Sequence, residues 1–506
     1  MTHRAIALLP LLTTGLAFAD TITVCPDGTC DHVDIASAVA AATAGDVIAV
    51  GAGTYAVSTP IELDDRDLVI EGPADGGKGL AVVIDGLDAS SAFVCRNGDA
   101  TTFRNLSFTN GRGSDVTFPG VGTFSVGGAV QNFDASPSFE GCRFANGVAE
   151  GGGAVFAFGS GTLGFDDCVF ESNLSTAEGG GAILAFGSEA GALSLQVTNC
   201  DFLLNEAAGN VGGGDEEGSY GGAISVLLAD LHLADSQFTG NVSSGFGGAL
   251  GLEAGDQPGT VLLVEGCEFI GNEVESLSCF DTGLGGAVFL DDHFNATFSD
   301  CVFIDNRTSD CGSSAIWVQE GSPVFENCSF LDHTIGQDVL TANVATTTFL
   351  ACEFTGNGLT DHAVRFLSTT ATMVDCTISG NGSAGIRNAQ GGVLTLEGCT
   401  LRDNAGAAVV SSNDVDVEVL NSLVCGNNAG GDQLVGGFIT IDKFSTVEGQ
   451  CPSDLPGDLD GDGAVTGADL ATLAAAWGTK NPAADLDGSG EVNGADLSVL
   501  LSNWTG

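Results

Sequence analysis

Residues 267–272 read Cys-Glu-Phe-Ile-Gly-Asn, and this phrase, Cys-x-Phe-x-x-Asn, recurs along the middle of the chain. Residues two apart on a strand point to the same side, so the Cys and the Phe share one side and the residue between them takes the other. That middle residue is polar in most copies, which indicates a strand with one buried and one exposed side. Full copies begin at Cys168, Cys200, Cys267, Cys301 and Cys352, and variants begin at Cys142, Ser236, Cys328, Cys376 and Cys399.

The spacing of the phrases predicts the fold. Successive phrases begin 23 to 36 residues apart, and the spacing settles near 23–24 after Cys328. A unit of this length, rich in Gly and β-branched residues, is too short for a pair of helices and is typical of one coil of a parallel β-helix. We therefore predict an all-β fold, a right-handed single-stranded parallel β-helix over residues 20–450, with roughly twelve coils stacked about 4.8 Å apart.

Asn and Gly residues mark the corners of the predicted coils. We expect the Asn that closes most phrases to turn the corner, because Asn tolerates left-handed backbone and stacked Asn amides can form a hydrogen-bonded ladder. A second phrase, Gly-Gly-Ala followed by an aliphatic residue, alternates with the first and predicts a bend where coils approach closely. Its copies begin at Gly127, Gly152, Gly180, Gly221, Gly247 and Gly285.

These two alternating phrases resemble the repeats of chlamydial polymorphic outer-membrane proteins and related pectin-lyase-like β-helices, over about residues 100–430. The resemblance implies an extracellular β-helix, and members of the pectin-lyase-like group often bind or cleave polysaccharides along one sheet. The segment 33–55 resembles the opening of many extracellular β-helix proteins. There a short helix, expected here within Val33–Ala42, covers the open end of the first coil.

The C-terminal segment carries two copies of a calcium loop, at residues 458–469 and 485–496. A hard cation needs six to eight oxygens from one tight turn, and both copies place oxygen-bearing residues at loop positions 1, 3, 5, 7, 9 and 12. We therefore predict Ca²⁺ as the cofactor. The candidate ligands are Asp458, Asp460, Asp462, Ala464, Thr466 and Asp469 in the first loop, and Asp485, Asp487, Ser489, Glu491, Asn493 and Asp496 in the second.

Each loop runs into an apolar stretch, and the duplicated loop and helix resemble the dockerin type I module over residues 456–506. The resemblance implies a tether that binds a cohesin-type module on a scaffold or a cell surface. Loop positions 10 and 11, which often set the choice of cohesin, hold Gly467-Ala468 and Gly494-Ala495. A calcium-stabilised cap or export tag is the alternative.

The N-terminus reads as a secretory signal, with Arg4, an apolar run to Leu16 and Ala17-Phe18-Ala19 before Asp20. We predict a signal peptide at residues 1–19, a secreted chain and no membrane span. The formal net charge of −53 excludes nucleic acid and anionic lipid as partners. Trp and Tyr number only 3 and 2, so few aromatic rings are available to stack on sugars.

The cysteines outside the repeated phrases are candidates for disulfides, which export permits. Cys25 and Cys30 flank a turn of Pro-Asp-Gly-Thr. Cys279 and Cys311 follow successive phrases at matching places and should be neighbours on adjacent coils. We predict the bonds Cys25–Cys30, Cys279–Cys311 and Cys425–Cys451, and we expect the phrase cysteines to stack in the core as small hydrophobic groups.

Two acidic clusters are the best candidates for catalysis: Asp291-Asp292-His293 and Asp361-His362 with Arg365. Three coils separate them, about 14 Å along the axis. Glycoside hydrolysis needs carboxyl groups about 5–9 Å apart, so each cluster would act alone. The more economical interpretation is that both are solvated loop residues.

Two functions remain open from the sequence. The first is a secreted calcium-binding protein whose β-helix binds carbohydrate or another extracellular surface and whose dockerin-like module tethers it. The alternative is a polysaccharide lyase or glycoside hydrolase delivered by the same module.

Overall fold

The computed structural model describes residues 19–74, 81–188, 192–209, 220–254, 260–275, 284–291, 295–308, 312–358, 361–451, 457–459, 465–481 and 484–505. Within residues 21–448 the strands of each coil pair in parallel with the matching strands of the next coil. The chain is therefore the parallel β-helix that the repeats predict.

The first of three long faces, sheet 1, carries the Gly-Gly-Ala-aliphatic phrases at the start of many strands. Its strands are Ile61–Asp64, Phe93–Arg96, Val130–Phe133, Val155–Gly159, Ile183–Gly187, Ile224–Leu227, Leu250–Glu253, Val288–Asp291, Ser313–Gln319, Asp338–Asn343, His362–Val374, Ala384–Glu397, Val409–Ser411 and Leu434–Val435.

Sheet 2 follows sheet 1 within each coil, and His362–Val374 and Ala384–Glu397 are long enough to serve both sheets. Its other strands are Thr21–Val24, Val47–Val50, Val69–Glu71, Thr102–Arg104, Ser138–Glu140, Gly161–Asp166, Leu193–Thr198, Asp230–Ala234, Val261–Glu265, Asn295–Ser299, Val324–Glu326, Thr346–Leu350, Asp416–Leu420 and Phe438–Ile441.

Sheet 3 contains the Cys-x-Phe phrases. Its strands are Gly53–Ala56, Val82–Asp85, Ser107–Thr109, Arg143–Ala145, Val169–Glu171, Asp201–Leu203, Gln237–Thr239, Glu268–Ile270, Val302–Ile304, Ser329–Leu331, Glu353–Thr355, Thr377–Ser379, Thr400–Arg402, Leu423–Cys425 and Thr446–Glu448. A smaller side sheet contains Ser114–Phe118, Gly122–Val126, Val148–Gly151, Leu174–Gly179, Glu206–Ala207, Val242–Ser243, Glu273–Val274 and Arg307–Thr308.

Sheet 3 has 15 strands among the described residues, so the β-helix has more coils than the twelve expected. The coils without a Cys-x-Phe phrase lie at both ends of the repeated region, because three strands of sheet 3 precede Cys142 and two follow the phrase that begins at Cys399. At about 4.8 Å per coil, the fourteen steps between these strands make the β-helix about 67 Å long.

The phrase phenylalanines form a continuous stack in the core. Phe202 and Phe238 have ring centroids 4.6 Å apart and planes 1° apart, and the rings on either side continue the column. Because parallel strands stack in register, one inward position per coil becomes a column of like side chains. The column runs through Phe108, Phe144, Phe170, Phe202, Phe238, Phe269, Phe303, Phe330 and Phe354.

The phrase cysteines are buried beside this column and carry free thiols. Their S–H groups also donate weak hydrogen bonds to backbone carbonyls, as Cys168 Sγ does to the carbonyl of Phe139 at 3.4 Å. Burial raises the pKa of the Cys267 thiol, so the thiol stays protonated and unreactive. Disulfides join Cys25 to Cys30 and Cys425 to Cys451. Cys279 and Cys311 lie outside the described residues.

The Asn side chains form the expected ladder. Asn205 Nδ2 donates to Asn241 Oδ1 at 2.9 Å, and Asn241 Nδ2 donates to Asn272 Oδ1 at 2.9 Å. The ladder Asn is not itself left-handed, contrary to our expectation. The residue before it has the positive φ, as at Leu204 (53°) and Gly240 (62°), because that residue makes the corner and the Asn amide then satisfies the buried backbone N–H groups.

The glycine pairs lie where coils are in closest contact. A Cβ atom on Gly153 would lie 2.1 Å from the carbonyl oxygen of Gly181 on the next coil. At the N-terminal end, the helix Ile35–Ala41 buries Ile35 and Val39 against the first coil and is capped by Asp34, which accepts a hydrogen bond from the Ser37 N–H at 2.7 Å. Both features match the sequence-based expectations.

Candidate functional site

The second calcium loop brings three carboxylates together. Single oxygens of Asp485, Asp487 and Asp496 all lie within 4.8 Å of one another. Asp496 is fully buried and accepts hydrogen bonds from the N–H groups of Asn493 (2.7 Å) and Asp487 (3.1 Å). The N–H of Asn493 lowers the pKa of Asp496, so its carboxylate stays charged. Three converging carboxylates repel one another, and this all-oxygen donor set fits Ca²⁺.

Loop position 9 has a capping role in both copies. Asn493 Oδ1 accepts from the Ala495 N–H at 2.9 Å and caps the helix Gly494–Ser502. Thr466 caps the helix Gly467–Ala475 in the same way, at 3.3 Å from the Ala468 nitrogen. These two side chains therefore start the helices, while the acidic residue at position 12 closes each loop.

The first loop is described in part. Asp469 is fully buried and accepts from the N–H groups of Leu459 (2.6 Å) and Thr466 (2.7 Å), as Asp496 does in the second loop. The remaining first-loop candidates Asp460, Asp462 and Ala464 lie outside the described residues.

A small core holds the two loops together. Val465, Leu473, Val492 and Leu500 are fully buried and pack in one cluster. The two ends of the segment are joined through Val465, whose N–H donates to Thr505 Oγ1 at 2.8 Å. The backbone N–H of Thr505 donates to the Val465 carbonyl at 2.9 Å. Loop geometry therefore depends on both helices.

Sheet 1 carries a second candidate site, which we name the Trp–Arg patch. It consists of the outward, partly exposed side chains of Trp317, Gln319, Asn343, Arg365 and Arg387. Parallel register places Trp317, Thr341, Arg365 and Arg387 on four successive coils, so about 14 Å separates the first from the last.

Hydrogen bonds order the amide edge of this patch. Asn343 Nδ2 donates to Gln319 Oε1 at 3.0 Å, and the Trp317 indole N–H donates to the same oxygen at 3.4 Å. An indole face beside amides and guanidinium groups combines an apolar platform with hydrogen-bonding groups of both kinds. This is the combination that a sugar ring requires.

A buried carboxylate lies next to the patch. Asp338 is 1% exposed, and its oxygens lie 3.0 Å from His362 Nδ1, 3.5 Å from an Arg365 terminal nitrogen and 3.4 Å from Thr341 Oγ1. A carboxylate at this depth needs such partners, because an unpaired buried charge is costly. Among the described residues, the other ring nitrogen of His362 makes no hydrogen bond.

Asp338 corrects our interpretation of the second acidic cluster. His362 and Arg365 are not solvated loop residues but belong to the strand His362–Val374, where both contact Asp338. Asp361 is exposed and lies immediately before that strand. Asp338 does not belong to a repeated phrase, and only the stacking of coils brings its carboxylate into contact with His362.

The first acidic cluster remains apart from this site. Asp291 ends the strand Val288–Asp291 and is in register with Gln319, then Asn343, then Leu367. Asp291 and the strand that holds Arg365 are therefore three coils apart. Asp292 and His293 lie outside the described residues.

An apolar cleft lies further along sheet 1, toward the N-terminus. The hairpin formed by Ser114–Phe118 and Gly122–Val126 stands over the sheet and leaves a cleft of about 430 Å³. Its single charged lining residue is Glu178, so it offers sugar hydroxyl groups few partners. The other lining side chains include Phe118, Phe124, Phe156, Phe158, Phe186 and Leu227.

Among the described residues, no helix is both long and apolar enough to span a bilayer.

Comparison with family models divides the chain into two parts. Residues 286–443 match the model of the right-handed β-helix region, and residues 456–503 match the model of the dockerin type I domain. The chain thus combines a right-handed parallel β-helix with a C-terminal dockerin type I module. Together the two parts indicate an extracellular, carbohydrate-related protein.

One curated relative is the metabotropic glutamate receptor-like protein P of Dictyostelium discoideum, 27% identical over 279 residues. The match covers 50% of this chain and 18% of the relative, so the chain corresponds to a small part of that protein.

Several solved structures match this chain at low sequence identity and low TM-score. PfbA, a surface adhesin of Streptococcus pneumoniae, is 10% identical with a TM-score of 0.35, and the match covers 80% of this chain and 86% of PfbA. Pectin methylesterase PemA from Erwinia chrysanthemi is 16% identical with a TM-score of 0.30, covering 65% of this chain and 90% of PemA. The catalytic unit of a GH87 α-1,3-glucanase from Streptomyces thermodiastaticus is 13% identical with a TM-score of 0.36. The match covers 81% of this chain and 66% of the glucanase chain.

Proposed function

We propose that the chain is a secreted protein whose β-helix binds carbohydrate at the Trp–Arg patch. The observation that carries this proposal is the position of Trp317, a partly exposed indole on a sheet face beside the amides of Gln319 and Asn343. Trp317 is the one Trp in the β-helix, and the other two belong to the C-terminal module. A flat ring next to paired amides offers stacking and directed hydrogen bonds to one sugar unit.

The test is binding of the mature chain to a glycan panel by isothermal titration calorimetry, with the variant Trp317→Ala. We expect affinity to fall roughly tenfold, since an aromatic contact contributes on the order of 1 kcal/mol beyond its buried area. Phe444→Ala is the matched control, because Phe444 is 68% exposed on the last coil and lies outside the patch. Equal losses in both variants, or no binding by the parent chain, would contradict the proposal.

We propose further that the C-terminal module binds Ca²⁺ in both loops and docks to a cohesin-type partner. The converging carboxylates of Asp485, Asp487 and Asp496 support calcium in the second loop. Calcium binding to the mature chain should show two sites, and Asp496→Ala should remove one of them. Asp416→Ala, on an exposed position of sheet 2, should keep both. An unchanged stoichiometry in Asp496→Ala would refute the assignment.

Secretion depends on the proposed leader at residues 1–19. Expression of the full chain in a secreting host should release a protein that begins at Asp20, as N-terminal sequencing would report. Retention of the intact N-terminus would contradict this part of the proposal.

A second candidate function is catalysis at Asp338 and His362. The 3.0 Å contact between Asp338 and His362 Nδ1 favours it, since a carboxylate that holds one ring nitrogen orients the other as a general base. Polysaccharide cleavage would be assayed as new reducing ends and unsaturated products. Turnover that is lost in His362→Gln and kept in His232→Gln, a half-exposed His on sheet 2, would establish the enzyme. No turnover across a broad panel would leave binding as the function.

A further inference from the structure

Arg387 differs from the other arginines of the β-helix. It is half-buried on sheet 1, and within the described part of the chain its guanidinium makes no hydrogen bond or ion pair. The other guanidinium groups in the same range, apart from exposed Arg112, contact a carboxylate or a carbonyl: those of Arg66, Arg96, Arg104, Arg143, Arg307, Arg365 and Arg402.

The neighbour of Arg387 across the sheet is another cation. Arg365 and Arg387 are register partners on adjacent coils, about 4.8 Å apart along the axis. Asp338 contacts Arg365, and it also contacts His362. Among the described residues, one carboxylate contacts Arg365 and none contacts Arg387, so this part of sheet 1 carries local positive charge in a chain of net charge −53.

The donors of this pair are not all used. Among the described residues, Arg365 Nε is buried and has no hydrogen-bond partner, and the half-buried guanidinium of Arg387 has none there either. Apart from Asp338, which contacts Arg365, the neighbours of the pair on the sheet include Thr341, Val410, Leu367 and Ala389, and none of these four is acidic. A buried N–H donor without a partner, in a pair of adjacent guanidinium charges, is unfavourable unless an anion accepts from it and balances the charge.

We propose that Arg365 and Arg387 bind the oxyanion of an acidic polysaccharide, a uronate carboxylate or a sulfate ester, while a neighbouring sugar ring lies on Trp317. This inference rests on the proposed carbohydrate binding and specifies the class of glycan. Guanidinium groups present their N–H donors as a fork that matches carboxylate and sulfate oxygens. Because the rest of the chain repels anions, binding depends on this contact.

The experiment compares ligands that share one backbone. Oligogalacturonate, its fully methyl-esterified neutral form, a sulfated oligosaccharide and inorganic sulfate are titrated into the mature chain by calorimetry. Excess free Ca²⁺ is present in every titration to keep the module folded. We expect one acidic oligosaccharide to bind at least tenfold more tightly than the neutral form, and Arg387→Gln to abolish that preference. Arg387→Lys should restore part of it, because it keeps the charge without the fork.

Arg112→Gln is the matched control, since Arg112 is exposed on the surface and outside the patch. Circular dichroism melting checks that each variant is folded. Equal affinity for acidic and neutral forms, or an acidic preference that survives in Arg387→Gln, overturns the inference while carbohydrate binding stands. Binding of inorganic sulfate alone, without any oligosaccharide, overturns both. An acidic preference that Arg112→Gln removes equally also overturns the inference.

Discussion

His333 interrupts the Asn ladder and makes it sensitive to pH. His333 is fully buried between Asn306 and Asn357, and the Oδ1 of Asn357 lies 3.0 Å from both His333 Nδ1 and its backbone nitrogen. Its other ring nitrogen is 3.5 Å from Asn306 Nδ2, a donor. The neutral ring satisfies both neighbours, whereas a protonated ring would place two donors face to face. Burial lowers the pKa of His333 to about 4 from 6.5.

This shift in the pKa of His333 predicts that the free energy of unfolding decreases in acid, and that His333 alone causes this part of the decrease. The unfolded chain takes up the proton near pH 6.5 and the folded chain only near 4, so stability is complete above pH 7 and falls as the pH drops through this window. The loss reaches about 3 kcal/mol. His333→Asn should remove it, measured as the difference between variant and parent in guanidinium unfolding at pH 7 and pH 4.5. A constant difference at the two pH values would contradict the prediction.

Leu204 carries backbone strain that a glycine would relieve. It has φ 53° at a corner where the next two coils have Gly240 and Gly271, and its side chain is 63% exposed. A left-handed L-residue costs roughly 1–2 kcal/mol, partly offset by the greater freedom of glycine when unfolded. Leu204→Gly should therefore raise the free energy of unfolding by about 1 kcal/mol. Gly240→Leu, the reverse change on the next coil, should lower it, and the same sign for both variants would rule this explanation out.

At the scale of the element, the strand Gln237–Thr239 shows how one coil depends on its neighbours. Phe238 stacks on Phe202 at 4.6 Å and on Phe269 at 5.0 Å, whereas Gln237 faces outward and contacts Glu268 at 2.9 Å. Phe238→Ala should lower the free energy of unfolding by about 3–5 kcal/mol, because a cavity opens in a column that adjacent rings cannot fill. Gln237→Ala, one residue away, should change it by less than about 0.5 kcal/mol.

The comparison is made by guanidinium unfolding, followed by far-ultraviolet circular dichroism. Similar costs for Phe238→Ala and Gln237→Ala would mean that the aromatic column contributes little beyond the strand hydrogen bonds.

At the scale of the whole molecule, charge opposes folding. The chain has 66 acidic and 13 basic residues, and stacking the coils brings outward carboxylates close together. At 0.1 M salt the Debye length is about 10 Å, and added salt shortens it and so weakens the repulsion between these exposed carboxylates. Raising NaCl from 0.05 M to 0.5 M at constant free Ca²⁺ should therefore raise the melting temperature of the β-helix in calorimetry. A melting temperature that stays flat or falls would mean that the ion pairs outweigh the repulsion.

Much of the fold was predictable from local pattern. The Cys-x-Phe phrase repeats once per coil, and stacking in register converts that repeat into columns without any long-range information. The phrase therefore indicated the buried positions, the Asn ladder and the strand order. The calcium loops are equally local, because twelve consecutive residues supply the cation ligands. The number of coils was underestimated, because coils before Cys142 and after Cys399 keep the strand register without keeping the phrase.

The Trp–Arg patch and the Asp338 cluster depended on tertiary structure. Asp338 and His362 are 24 residues apart and Arg365 and Arg387 are 22 apart, and neither pair belongs to a repeated phrase. Coil lengths vary, so spacing in the sequence does not show which outward residues become neighbours; the hydrogen-bonded register decides it. The sequence by itself determined a β-helix with a paired calcium-loop module. Which charges lie side by side on its surface was decided only by the stacking of coils.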